Sequence, residues 1–374
     1  MIMTNENGIY QKDIEEYYCE EVDSLGVNLG YGLIPLVEEE NGGDLCERLS
    51  KARETASEET GIPIPRVRIR DRRELKKLEY SLIFKGAEVG RWSFMQDHTL
   101  FVVTDEKLAP EIKPSWKKTI DPAFGVDAYF IPDEEAVKME HKVGFILVPP
   151  AAVISNHLRE IILKNRDKFL NHYYVNQLVE KVRRKNEALV SEVFFNRKFT
   201  ITDLKLILNR LVAEKVPIND VNTILETIAD YLREEDNPIQ LAEKVRERLS
   251  LVYLQKYTDE KNVLHVIKVP PSVSEILAEH IYEPDSRVEI PFLNFDFAGI
   301  TKFRKALGKS ALIMTRKDFI PVFLCVSAIR IPLAEYIGSL IPGAICVSDK
   351  ECLALNNALE IKAEGELSFD EEKD

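Results

Sequence analysis

Val322-Phe323-Leu324-Cys325-Val326, then the helical pattern from Ile329 to Leu340, then Ala344-Ile345-Cys346-Val347, decides the class of fold. Short apolar runs alternating with helical stretches signal α/β packing. Working outward, Val263 to Val269 and Ala311 to Met314 read as further strands, and Ser272 to Ile281 and Ala298 to Leu307 as helices. Asn357 to Leu367 is predicted to add a last strand, and Ser368 to Asp374 an acidic, disordered tail.

Upstream, from Asn156 to about Tyr257, the texture is helical throughout. Leu158, Ile161, Ile162 and Phe169 form one stripe, Val175, Leu178, Val179 and Val182 a second, and Leu204, Ile207, Leu208 and Leu211 a third. Pro217 and Pro238 stand where helices are expected to begin, a position that tolerates the missing N–H. Further upstream, Val27 to Val37 reads as a strand ending near Pro35, followed by a helix capped by Asp44 with Leu45, Leu49, Ala52 and Ala56 on one face. Val67 and Ile69 alternate with Arg66, Arg68 and Arg70 as a half-buried strand requires. Tyr80 to Phe84 and Ala87 to Trp92 flank Lys85-Gly86 as a hairpin. Leu100 to Val103 and Ala128 to Ile131 are strand-like, with a long loop from Asp105 to Ile120 between them. Met1 to Asp23 is polar and acidic and reads as a linker.

The chain has 374 residues, is 45% apolar and carries a net charge of -13. That length suggests two or three units with cores of their own, and the acidic balance argues against nucleic acid, whose phosphates need a concentrated positive field. Five cysteines without a CxxC pair suggest a reduced setting. No apolar run approaches the ~20 residues that cross a bilayer.

The search for chemistry is mostly negative. Leu307-Gly308-Lys309-Ser310 resembles the end of a phosphate loop, but Phe303 stands where GxxxxGK[ST] needs glycine, so Gly308 reads better as a helix cap. The histidines make no metal-ligand spacing, and His157, on a helical stripe, reads as packed or capping. The basic run Arg66, Arg68, Arg70, Arg72, Arg73, Lys76 and Lys77 is the one feature favouring nucleic acid or acidic lipid, but it reads better as a solvated strand face and turn, with contact to an acidic neighbouring subunit as the alternative. Asp121-Pro122-Ala123-Phe124-Gly125 has two readings. In one, Asp121 bonds backbone amides in a turn and Phe124 fills a local core. In the other, an exposed Phe124 beside a carboxylate anchors a bound peptide.

Four strings in register carry a resemblance. They are Gly30-Tyr31-Gly32-Leu33-Ile34-Pro35-Leu36-Val37 with Gly42-Gly43-Asp44-Leu45; Arg68-Ile69-Arg70-Asp71; Asp121-Pro122-Ala123-Phe124-Gly125; and Val216-Pro217-Ile218-Asn219-Asp220 with Ala229-Asp230-Tyr231. Together they resemble the large export-gate subunit of bacterial type III secretion, the flagellar biosynthesis export protein family, from about Asp23 to Glu364. The resemblance implies an α/β and α+β fold of four compact subdomains, the second inserted in the first, the third all-helical and the fourth α/β. The implied boundaries are 1–23 linker, 24–98 with 149–170 subdomain 1, 99–148 subdomain 2, 171–254 subdomain 3, 255–367 subdomain 4 and 368–374 tail.

It further implies a docking platform at the cytoplasmic face of the bacterial inner membrane, joined to the membrane by an N-terminal domain absent from this sequence. Implied partners are export chaperone–substrate complexes, other export-apparatus proteins including the ATPase complex, and copies of itself in a homo-nonameric ring. No nucleic acid, catalytic residues, cofactor or metal are implied. By motif, the family's docking dimple carries over to Asp121 and Phe124, and with them Val103, Val126, Val148, Val153 and Asn156. Asp105 and Asn156 depart from the flagellar pattern's proline and threonine. The equivalent gate of a virulence injectisome is the alternative.

Overall fold

The computed structural model describes residues 24–103, 112–139, 144–194, 199–356 and 358–369, so the 1–23 linker, Asp105 and residues 370–374 lie outside the described residues. The chain divides into two compact units, Met1–Asn165 and Arg166–Asp374.

In the first unit, β1 (Leu25–Leu29) is followed by a 3-10 turn over Tyr31–Leu36 and then by α1 (Leu45–Thr60). The strand predicted to reach Pro35 therefore ends at Leu29. Gly30 and Gly32 donate their amides to Glu79 and Lys77 carbonyls, each at 2.8 Å, and that pairing turns the chain out of the sheet. Asp44 sits at the N-cap of α1 without a capping bond, and its carboxylate pairs with Arg48 at 2.5 Å instead.

β2 (Arg68–Asp71), β3 (Glu79–Phe84) and β4 (Ala87–Ser93) complete a sheet in the order β2-β1-β3-β4. The predicted hairpin forms, with Lys85 and Gly86 both at positive φ, 48° and 80°, as a tight two-residue turn demands. β5 (His98–Val103), β6 (Lys117–Ile120), β7 (Asp127–Pro132), α2 (Asp133–Met139) and β8 (Phe145–Val148) follow. Their strands make a second, antiparallel sheet ordered β6-β7-β5-β8. α3 (Pro150–Lys164) then returns to pack on α1.

Alternation along β5 gives the second sheet two apolar faces. Leu100 clusters with Ala128, Phe130 and Val153, whereas Phe101 clusters with Trp116, Tyr129 and Ile131.

The second unit opens with helices: α4 (His172–Arg183), α5 (Glu187–Phe194), α6 (Ile201–Ala213), α7 (Val221–Tyr231) and α8 (Pro238–Leu254). Leu204, Ile207, Leu208 and Leu211 are fully buried, as their spacing predicts. Pro238 does open α8, but the helix after Pro217 begins only at Val221, where the Asp220 carboxylate accepts from the Thr223 amide.

β9 (Val263–Lys268), α9 (Pro271–Glu279), the short strands β10 (Ile281–Tyr282) and β11 (Phe292–Leu293), α10 (Phe297–Thr315), β12 (Val322–Cys325), α11 (Ser327–Leu340), β13 (Ile345–Ser348), α12 (Asp349–Ala354) and β14 (Glu360–Glu366) complete the unit. β13-β12-β9-β14 is a parallel sheet, the α/β arrangement expected from the opening stretch.

Three expectations fail here. Ala311 to Met314 is the last turn of α10, not a strand: Phe303, Leu307, Ala311 and Met314 are buried at helical spacing, so the short apolar run belongs to a longer period. Gly308 for the same reason lies inside the helix and does not cap it. At the C-terminal end, Phe369 was expected in a disordered tail but is 4% exposed, its ring 5.0 Å from that of Phe303.

Candidate functional site

The turn joining β6 to β7 is built by Asp121. Its Oδ1 accepts from the amides of Ala123 and Phe124 at 3.0 and 2.9 Å, and its carbonyl accepts from Gly125 N at 2.9 Å. Its own amide donates to the Val126 carbonyl at 2.9 Å, closing the loop. Gly125 adopts φ +69°, a left-handed conformation that glycine takes without a Cβ penalty. Asp121 is 3% exposed and therefore acts as the internal brace of the turn.

Phe124 at the apex is 57% exposed, and Ile120 and Val126 flank it at 56% and 39%. The turn reading thus holds for Asp121, but Phe124 does not fill a local core. Exposed apolar groups held on a rigid turn can contact a partner without ordering themselves first.

Beside the turn lies an open cleft of about 810 Å³, lined on one side by Gly90, Arg91 and Trp92 of β4, and on the other by Lys118, Thr119 and Ile120 of β6 with Pro122. Both strands are sheet edges. His157 of α3 forms part of the lining. Its Nδ1 lies 2.9 Å from the Tyr80 hydroxyl, and an added Cβ on Gly90 would come within 2.9 Å of the imidazole ring. Burial pushes the His157 pKa down, against an opposing pull from the Asp121 carboxylate, and burial and that same carboxylate push the Tyr80 phenol well up.

The sequence-predicted site residues do not all meet. Asp121, Phe124 and Val126 share the turn. Val148, half-buried, lines a separate cleft of about 410 Å³ with Leu33, Leu78 and Phe94. Val153 is fully buried against Leu100 and Phe130, and Asn156 is half-buried on α3. Val103 packs on the opposite face of the second sheet, with Phe101 and Tyr129. Trp92, Thr119 and Ile120 were missed. Only the position of Ile120 directly before the Asp121 turn was a signal, because the proximity of β4 to β6 is a tertiary fact.

Acid-side linkage gives a first expectation. A buried neutral histidine whose folded pKa lies below the unfolded value of about 6.5 binds its proton more weakly when folded. Stability of the first unit should therefore fall as pH drops below the unfolded value. Urea midpoints between about pH 7 and 5 should decline in the wild type and decline less in His157→Gln.

Among the described residues no group of histidine, cysteine and carboxylate side chains is arranged to hold a metal, and no helix is long and apolar enough to cross a membrane. Burial pushes the Cys352 thiol up to about 12 and the Cys325 thiol also well up, so neither is a ready thiolate.

Comparison with known proteins agrees with this fold. The chain is 33% identical over 315 residues to the flagellar biosynthesis protein FlhA of Treponema pallidum, covering 83% of this chain and 43% of that protein. It is 28% identical over 335 residues to FlhA of Escherichia coli, covering 88% and 46%. The chain thus spans less than half the length of these relatives. The solved CdsV protein of Chlamydia pneumoniae superposes with a TM-score of 0.78 at 21% identity, covering 93% of this chain and 98% of that one. A nonameric SctV-C structure superposes with a TM-score of 0.68 at 20% identity, covering 93% and 99%. At those identities the likeness to the structures concerns the fold. The FHIPEP family model matches residues 4–355, and the chain belongs to the FHIPEP family.

Proposed function

We propose that this chain is the cytoplasmic docking platform of a type III export gate, receiving export substrates and chaperone–substrate complexes for flagellar protein export. The observation that carries the reading is Phe124, exposed at the apex of a turn held rigid by the buried Asp121, beside the cleft lined by Trp92, Thr119 and Pro122. A protein surface with an immobilised aromatic beside an apolar and basic cleft suits peptide or helix recognition. Phe124 and Val126 make direct contact in this reading, Asp121 positions them, Asn156 stands next to the cleft-lining His157 on α3, and Val148 takes part through the separate cleft it lines. Val103 and Val153, packed elsewhere, contribute through the cores beneath it.

The four-subdomain division, with the second inserted in the first, belongs to the same proposal. So do assembly into a nine-membered ring, contact with the export ATPase complex and a place at the inner membrane. A nonameric relative of the same fold supports the ring, and the complex of CdsV with CdsO supports contact with another protein of such an apparatus. The platform has no catalytic role in this reading. Identity of 33% to the flagellar biosynthesis protein FlhA of Treponema pallidum supports the flagellar branch over the injectisome.

Calorimetry with a purified flagellar chaperone–substrate complex tests the site. Phe124→Ala should weaken binding about thirtyfold, as loss of a central aromatic anchor does, with an unchanged melting temperature. Equal affinity of variant and wild type removes the site assignment. Preference for a needle-type chaperone transfers the reading to the injectisome branch.

A further inference from the structure

Helix α10 presents a face that the other described residues leave exposed. Between Phe297 and Lys317 there are six lysines and arginines and no acidic residue, in a chain of net charge -13; Lys317 pairs with Glu364, and Arg304 and Lys305 stand on the exposed face. At 3.6 residues per turn, positions 297, 301, 304, 305, 308 and 312 fall within about 100° of the helix circumference. Phe297 is 87% and Leu312 52% exposed, and Thr301, Arg304 and Lys305 are exposed between them. The two apolar residues stand about 22 Å apart along the axis.

A merely solvated face explains the charge but not the rest. It needs neither large apolar side chains at both ends nor Gly308 in the interior, where glycine weakens a helix. Nothing lies within 4 Å of the place a Gly308 Cβ would take, so no internal neighbour requires the missing side chain. The glycine instead leaves a dent in the outer surface, midway along the stripe, where another backbone can approach.

We infer that this face of α10 is a docking surface for an acidic amphipathic helix of a partner protein. The occupant follows from complementarity. Its apolar side chains meet Phe297 and Leu312, its carboxylates meet Arg304 and Lys305, and its backbone crosses closest at Gly308. An anionic membrane would also meet the charge. Two apolar side chains separated by Thr301 and Gly308 do not form the continuous apolar face that insertion between headgroups requires. The inference is independent of the docking turn at Asp121, which lies in the other unit.

The probe is a dye-labelled synthetic helical peptide of about 20 residues, matching the ~30 Å length of α10, with a leucine stripe flanked by glutamates. Its binding to the whole chain is read by fluorescence anisotropy. Saturable binding is expected that weakens with added salt. It should fall about tenfold or more in an R304E and K305E double variant and severalfold in Phe297→Ala or Leu312→Ala, while melting temperatures stay unchanged. A peptide with lysine in place of each glutamate should not bind. Equal binding to wild type and the charge-reversed variant overturns the inference. So does an absence of peptide binding, whether the chain then binds only vesicles of phosphatidylglycerol and phosphatidylethanolamine or only associates with itself through the same residues in sedimentation velocity.

Discussion

Replacing Arg330 with alanine is expected to destabilise the Arg166–Asp374 unit by about 3–5 kcal/mol, the loss that follows removal of one partner from a buried charge cluster. Arg330 is fully buried on α11. Its guanidinium bridges two carboxylates: Nε and Nη2 meet Glu243 of α8, and Nη1 and Nη2 meet Glu214, just after α6, at 2.6 and 3.3 Å. Arg246 extends the cluster, with Nη1 2.8 Å from Glu214 and Nη2 2.9 Å from Glu351 of α12, and Arg210 pairs with Glu214 at 2.6 Å.

Helices from the all-helical part and from the parallel-sheet part are thus joined through one shared set of charges. Deleting Arg330 leaves Glu243 without its guanidinium partner and Glu214 short of one of three. Arg330→Lys should recover only part of the loss, because an ammonium cannot hold two carboxylates in a planar fork. Urea unfolding of the three proteins measures this, and a loss under about 1 kcal/mol for alanine would refute the view that Arg330 holds the cluster together.

The acid limb should move as well. Burial pushes the Glu214 carboxyl up, but Arg246, Arg330 and Arg210 together override it and hold the carboxyl well below the ordinary range. A group depressed in the folded state stabilises above its unfolded pKa of about 4.3 and loses that contribution as pH falls through the folded value. With Arg330 absent the depression shrinks, so acid unfolding should begin at a higher pH.

The second large effect is steric. Gly30→Ala should cost at least about 3 kcal/mol, at or beyond the upper end of ordinary overpacking, because the new Cβ would lie 2.0 Å from the Lys76 carbonyl oxygen and 2.9 Å from that of Lys77. Gly30 itself has φ −70° and ψ 155°, a conformation alanine adopts freely, so the penalty is collision alone. The obstructing atoms are backbone, and the same segment accepts the Gly30 amide through Glu79 at 2.8 Å. It cannot retreat without breaking that bond. Gly42→Ala is the contrast: at φ +78° with nothing within 4 Å, it should cost only the left-handed penalty of about 1 kcal/mol. Thermal unfolding of both variants separates the two causes, and similar losses would mean that the close approach at Gly30 is relaxed in solution.

Both cases mark where sequence reading stops. Gly30-Tyr31-Gly32 was legible as a motif, but not as the point where a strand end passes over the 76–79 segment. Arg210, Arg246 and Arg330 drew no notice, because each sits on a different helix. Leu204, Ile207, Leu208 and Leu211 were readable because a helix converts spacing directly into a face. Ala311 to Met314 was misread because a four-residue apolar run fits a strand or a helix end equally well, and only the continuation from Phe303 decides.

By itself the sequence determined the α/β alternation of the C-terminal part, the helical middle, the hairpin at Lys85-Gly86 and the Asp121 turn. These depend on local periodicity and on the conformations particular residues permit. Only the tertiary structure decided that Phe124 faces solvent, that β4 and β6 border one cleft, and that Val103 lies on the far side of its sheet from Val153. Those are long-range outcomes: which face of a strand is covered depends on what packs against it, and the partners stand tens of residues away in the chain.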